Sequence, residues 1–218
     1  MLETMKKIIL LAMISIVAFG SVFAEDRYDK KAKQVAKEMT SGKKDKVTGL
    51  REPIWIVPLG AQPLEMQLAK SYRMADEMTE DGDQKWITGD AQSVGQTYDA
   101  AKKQALSLAI GQLAQKIQST IAEEINTANG NSQLGKGEAA SVTETVTGST
   151  QWVTGTIKKV VTIMEAYQNL PNQNFNVRVV VAYNQQKAMD AAKDALREEM
   201  LKKGHQLSVE MKKLLGEK

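Results

Sequence analysis

Residues Thr97–Asn129 read TYDAAKKQALSLAIGQLAQKIQSTIAEEINTAN, and the spacing within that stretch decides the fold. Leu106, Ile110, Leu113, Ile117, Ile121 and Ile125 recur at steps of three and four, which places them on one side of a single long amphipathic helix. Beside that stripe runs a row of small residues, Ala101, Ala105 and Ala109, whose lack of bulk lets a helix lie close against a sheet. Asn129, Gly130 and Asn131 end the helix.

The flanking segments supply the sheet. Upstream, Trp86, Ile87 and Thr88 favour a strand over Lys85–Val94, and Gly89 and Gly95 suggest a bulge or a close backbone approach. Downstream, Ala139, Val142, Val146, Thr150 and Val153 keep helical spacing over Glu138–Val153. Thr156–Tyr167 and Asn174–Tyr183 read as two strands joined by Asn169, Leu170, Pro171, Asn172 and Gln173, a connector of hairpin length. In the second of these, Phe175, Val177, Val179, Val181 and Tyr183 alternate with Asn176, Arg178, Val180 and Ala182. Asn184 is then an N-cap for a helix that turns Ala188, Ala192, Ala195 and Leu196 inward and stops at Gly204, before a tail helix over Gln206–Leu215. The order strand-helix-helix-strand-strand-helix predicts an α+β fold, in which the long Ala-rich helix and the closing helix pack on one face of a small antiparallel or mixed sheet.

The amino-terminal part carries an address and an accessory segment. Lys6 and Lys7 precede an apolar run from Ile8 to Phe19, and Val22 and Ala24 place small residues where a signal peptidase cuts, so residues 1–24 read as a secretory signal peptide cleaved after Ala24. Met5 serves as a start as well as Met1 does. The run is too short for a bilayer span of roughly 20 residues, and no later segment reaches that length. The exported chain belongs in the periplasm, at the outer membrane or outside a bacterial cell. Residues 25–84 form a helical accessory region: a short, exposed, Lys-rich helix with Ala32, Val35, Ala36 and Met39 on one stripe, then Ile54–Val57 fenced by Pro53 and Pro58, then a helix opened by Pro63 with Leu64, Leu68, Ala75 and Met78 inward. The α+β domain takes residues 85–203, and the tail helix residues 204–218. The Lys run permits peripheral contact with an anionic surface, although such runs commonly form a solvated face.

Within the domain, the Trp-led strand with Gly89, then Tyr98-Asp99-Ala100-Ala101, Ala105, Leu113-Ala114 and Ile117, resembles the LPP-twenty family of bacterial outer-membrane lipoproteins. Ile157–Tyr167, the polar turn, Phe175–Tyr183 and the Ala-rich helix after Asn184 continue that resemblance, which covers roughly Lys85 to Lys203. The same module is similar to the amino-terminal domain of a flagellar assembly protein. The resemblance implies a structural or adaptor role in the envelope rather than catalysis. The family's lipoproteins carry a Cys at the cleavage site, where Phe23, Ala24 and Glu25 stand here, so the chain is expected to be soluble or peripherally attached.

Composition removes most chemistries. The 218 residues are 42% hydrophobic and 25% charged with a formal charge of +3, an ordinary globular balance that does not advertise nucleic-acid binding. The 5% of aromatic residues is scattered, unlike a stacking groove for single strands. There is no Cys and one His, His205, just past Gly204, so thiolate chemistry and imidazole metal sites lack ligands and no catalytic residue or cofactor is expected. Asp76, Glu77, Glu80, Asp81 and Asp83 are the densest carboxylates but lack the ligand alternation of a Ca²⁺ loop, and Gly130–Gly137 lacks the Lys-Ser or Lys-Thr ending of a phosphate loop.

Two places remain for binding. Val160, Thr162, Met164 and Ala166 on one strand and Arg178, Val180 and Ala182 on the next make a mixed sheet face too apolar to be left in water. Either the chain covers it, with the Trp55 segment or the Met-bearing Pro63 helix, or a partner does, whether another envelope protein or a second copy. Arg178 is expected to pair with a carboxylate such as Glu165 across the hairpin. The alternative is a small or polymeric ligand held in a cleft between the sheet and the Pro63 helix, lined by Trp55, Trp86 and Arg178.

Overall fold

The computed structural model describes residues 27–42, 44, 53–130, 136–148, 151–157 and 159–216. The signal segment at residues 1–24 lies outside them. Strands β1 (Trp86–Gly95), β2 (Val161–Asn169) and β3 (Phe175–Asn184) form one antiparallel sheet in the order β1-β3-β2. Helices α1 (27–41), α2 (Leu64–Asp76), α3 (Tyr98–Gly130), α4 (Lys136–Gly148), α5 (Gln151–Thr154), α6 (Gln185–Lys202) and α7 (Val209–Leu214) complete the described chain. This is the α+β architecture that the element order predicts. The helix expected over Glu138–Val153 falls within α4 and α5, with residues 149–150 outside the described residues, and β2 starts at Val161, later than Thr156.

β1 and α3 meet backbone to backbone. A Cβ on Gly89 would lie 2.2 Å from the carbonyl oxygen of Ala109, and one on Gly95 would lie 2.8 Å from the amide nitrogen of Ala101. Only glycine on the strand opposite alanine on the helix permits that spacing, and Ala101, Ala105 and Ala109 are fully buried there. In the amino-terminal half of α3, therefore, the Ala row and not Leu106 or Ile110 is the line that seats deepest.

Beyond the sheet the same helix changes character. The 33 residues of α3 extend about 50 Å, against roughly 33 Å for the ten residues of β1. Where the strand runs out, the buried residues become Leu113, Ile117, Ile121 and Ile125, and α4, α5 and α6 supply their cover. Each such side chain contributes about 1.5–3 kcal/mol on leaving water. α6 starts directly from β3, with Asn184 Oδ1 accepting from Lys187 N at 3.0 Å, and buries Ala188, Ala192 and Leu196 in this core. The tail joins it too: Met211 and Leu215 of the α7 turn are fully buried, and Ser208 N donates to Glu138 Oε1 at 2.7 Å.

α1 and α2 cover the other face. Ala32, Ala36, Leu64, Leu68 and Ala69 pack with Met164, Ala166, Val180 and Ala182, so the amino-terminal helix is seated by its apolar stripe rather than merely exposed. Tyr28 donates to Asp76 at 2.7 Å, and Arg73 pairs with Asp29, which joins the two helices. Of the α2 residues expected inward, Met78 is 58% exposed because the helix stops at Asp76 and Glu77 is already extended; Gln67 and Ala69 take the buried places. Tyr98, Tyr167 and Phe175 form an edge-to-face cluster at one end of the sheet, where Tyr98 donates to Glu165 and Lys102 Nζ lies 2.7 Å from that carboxylate. Burial, reinforced by the Glu165 bond, pushes the Tyr98 hydroxyl far above the ordinary tyrosine range.

Replacing Gly89 with Ala is expected to destabilise the fold by about 1–3 kcal/mol, because the new methyl group meets backbone that cannot move aside. Thermal unfolding followed by circular dichroism measures it, and an unchanged midpoint would mean that helix and strand are not held at this distance.

Candidate functional site

The residues of the expected docking face do not all share a face: Met164, Ala166, Arg178, Val180 and Ala182 do, and Val160 and Thr162 do not. A β-bulge at Ile163 shifts the register, so Thr162 lies opposite Val181 while Met164 lies opposite Val180. One extra residue reverses the alternation. Val160 packs towards the α3 core, Thr162 is exposed, and Met164 and Val180 are buried beneath the amino-terminal helices at 1% and 4% exposure. The chain's own α1 and α2 occupy the place left open for an internal cover or a partner.

Arg178 corrects a second expectation. Its Nε and Nη2 donate to the two carboxylate oxygens of Asp90 on β1, at 2.9 and 2.5 Å, and not to Glu165. In register Arg178 faces Ala166, so Glu165 belongs to the opposite side, where it meets Tyr98 and Lys102. Asp90 raises the Arg178 pKa further, while burial pushes the hydroxyl of nearby Tyr72 up against the opposing pull of Arg178. Trp55 and Trp86 are both partly buried. Both pack against the core under α1 and α2, and Trp86 Nε1 donates to Glu77 Oε2 at 2.8 Å. Hydrogen bonds from Lys85 and Trp86 hold the Glu77 carboxyl below its ordinary range.

The two outer edges of the sheet are treated unequally. On β2, Glu165 N donates to Gln67 Oε1 at 2.7 Å, and Tyr167 exchanges bonds of 2.7 and 2.8 Å with Ile56 of the segment between Pro53 and Pro58. That edge is closed. On β1 the groups that point away from β3 belong to the even-numbered residues. α3 reaches over the rim to two of them: Lys116 Nζ donates to Thr88 O at 2.6 Å, and Gln112 Oε1 accepts from Asp90 N at 3.0 Å. The outward N–H and C=O groups of Gln92 and Val94 have no partner among the described residues.

A shallow depression follows this rim. Asp90, Gln92, Ser107, Leu108, Gly111 and Gln112 line one part, and Gln84, Thr88, Gln115, Lys116, Ser119 and Gln185 line the next, each about 500 Å³. Its walls mix amides and hydroxyls with Asp90, Lys116 and the apolar side chains of Ile87, Ala91 and Leu108, which offer hydrogen bonds in both directions but no nucleophile activated by a base. Among the described residues no group of three or more His, Asp or Glu is placed to hold a metal ion, and no helix is long and apolar enough to cross a membrane. His205 follows Gly204, which has φ +77°, and its amide closes the end of α6 by donating to Met200 O at 3.1 Å. Spacing alone does not single out the rim, because a free edge is a property of strand order; Gln92, Gln112, Gln115 and a mid-helix Gly111 are its marks in the sequence. Compared with known proteins, the chain matches no family model, no curated protein and no solved structure.

The lowered pKa of Glu77 fixes a sign. Its tie to Lys85 and Trp86 is present above the ordinary carboxylate pKa of about 4.3 and is lost as pH falls through the lower folded value. Tryptophan emission is expected to step in that acid window, and a Glu77→Ala variant is expected to lose the step; persistence of the step would assign it elsewhere.

Proposed function

We propose that this chain is an exported, non-enzymatic module of the bacterial cell envelope, of the LPP-twenty type, that acts as a structural or adaptor protein. Its activity is binding. One observation carries the reading: the rim of β1 presents unused backbone donors and acceptors at Gln92 and Val94, beside a depression of mixed polar and apolar lining. Strand edges of this kind are closed in proteins that must stay apart and left open in those that add a strand. The amino-terminal sequence supports export, since it has the charged, apolar and small-residue regions of a cleaved signal.

The second reading, a module that holds a small or polymeric ligand, is favoured by the same depression, whose lining does not include Trp55 or Trp86. In-cell cross-linking of tagged protein, followed by separation of soluble periplasm from outer membrane, distinguishes the two. The adaptor reading predicts stoichiometric recovery of a defined envelope protein or of a second copy. Recovery of uncross-linked monomer from the soluble fraction alone would contradict it.

A further inference from the structure

The rim of β1 is complementary to itself. Even-numbered residues of β1 point their backbone groups outwards, and the side chains of Lys116 and Gln112 already use Thr88 O and Asp90 N. What remains from Asp90 onwards is Asp90 O, both groups of Gln92, and both groups of Val94. An antiparallel strand centred on Gln92 uses nearly all of them: Gln92 exchanges two bonds with its own equivalent, and each Val94 N donates to the Asp90 O of the other strand. In this register the Val94 carbonyl of the second strand faces Asp90 N, so it shares that amide with Gln112 Oε1, while the Lys116 bond to Thr88 O is untouched. A slip towards Thr88 would require Thr88 O as well, which Lys116 holds.

The surroundings of the rim suit the same arrangement. α3 lies over β1 and β3 together, so pairing two β1 strands about 4.8 Å apart brings two α3 helices to roughly 10 Å, an ordinary packing distance. The side of α3 that would meet its equivalent carries Ser107, Leu108 and Gly111. Glycine inside a helix destabilises it relative to alanine, and none of the described residues comes within 4 Å of a Cβ built on Gly111, so no contact among them requires one there. Gly89 and Gly95, by contrast, are both explained by α3. Leu108 is 49% and Val94 50% exposed beside the rim, as apolar residues awaiting cover are. On the strand, the pairing sets Asp90 opposite Val94 and Gln92 opposite Gln92, with no like charges facing.

We infer that the partner at this rim is a second copy of the chain, joined about a two-fold axis at Gln92 into a continuous six-stranded sheet with α3 against α3. The inference rests on the binding-module reading and names its partner. Because the chain has no Cys, a single introduced thiol reports the geometry without background. In the proposed pair the two Gln92 Cα atoms are about 5.5 Å apart, within disulfide range, and the two Val94 Cα atoms about 14 Å apart, well outside it. The test uses full chain purified in the form the producing cell leaves it, under mild oxidation, alongside sedimentation of the unmodified protein. The expected result is a dimer in sedimentation, a disulfide dimer for Gln92→Cys, none for Val94→Cys, and at least a tenfold weaker dimer for the surface change Leu108→Glu. Sedimentation as a monomer at every concentration, or a dimer in which Gln92→Cys does not cross-link, would overturn the inference. A chain that stays monomeric yet recovers another envelope protein in cells would overturn the pairing and leave the binding-module reading standing.

Discussion

The carbonyl oxygen of Ala109 sits where the Cβ of any residue other than glycine at position 89 would need to be. That backbone contact between β1 and α3 sets the depth at which the long helix lies on the sheet, and most of the remaining structure follows from it. Seated so close, the helix requires the Ala row at its amino-terminal half and can accept Leu and Ile only where the strand has ended. Its overhanging half then recruits α4, α6 and the tail into one core. Close approach also brings Gln112 and Lys116 near enough to reach the outer backbone groups of β1, so the same contact shapes the rim proposed as the binding surface.

The accessory region answers a different requirement. A three-stranded sheet has two faces, and the mixed alternation of β3 makes the second face too apolar for water. α1 and α2 cover it where it is centred on β2 and β3, and the segment between Pro53 and Pro58 closes the β2 edge. Cover thins over β1: α2 touches the strand and Trp86 is partly buried, while Asp90, Gln92 and Val94 stay exposed. Arg178 and Asp90 mark that boundary with a bidentate pair, each partly exposed. The result is asymmetric: one edge is sealed by the chain itself, and the other is supported from below and left partly open.

Much of this was legible in the sequence because it is written in local periods. The three-and-four spacing of α3, the Ala row beside it, the two glycines of β1, the Asn184 cap and the alternation of β3 each predict the element or contact observed. The candidate site was less legible, for reasons particular residues make plain. The bulge at Ile163 leaves no mark in composition, yet one extra residue sends Val160 and Thr162 to the opposite side from Met164. The hairpin partner expected for Arg178 fails because sequence does not reveal that β3 is the central strand, with Asp90 of β1 on its other flank. Trp55 and Trp86 have the chemistry of ligand platforms and the same apolar area that fills a core. Strand order, not residue type, decides between those uses.

The central claim is that α3 satisfies part of the β1 rim and leaves Gln92 and Val94 for a second chain. Residue-resolved amide hydrogen exchange measured over a range of protein concentrations tests it most directly. The account predicts slow exchange for the Asp90 amide at every concentration, since Gln112 accepts from it, and exchange at Gln92 and Val94 that slows as concentration rises. Fast exchange at Gln92 and Val94 independent of concentration, or an Asp90 amide as exposed as theirs, would contradict it.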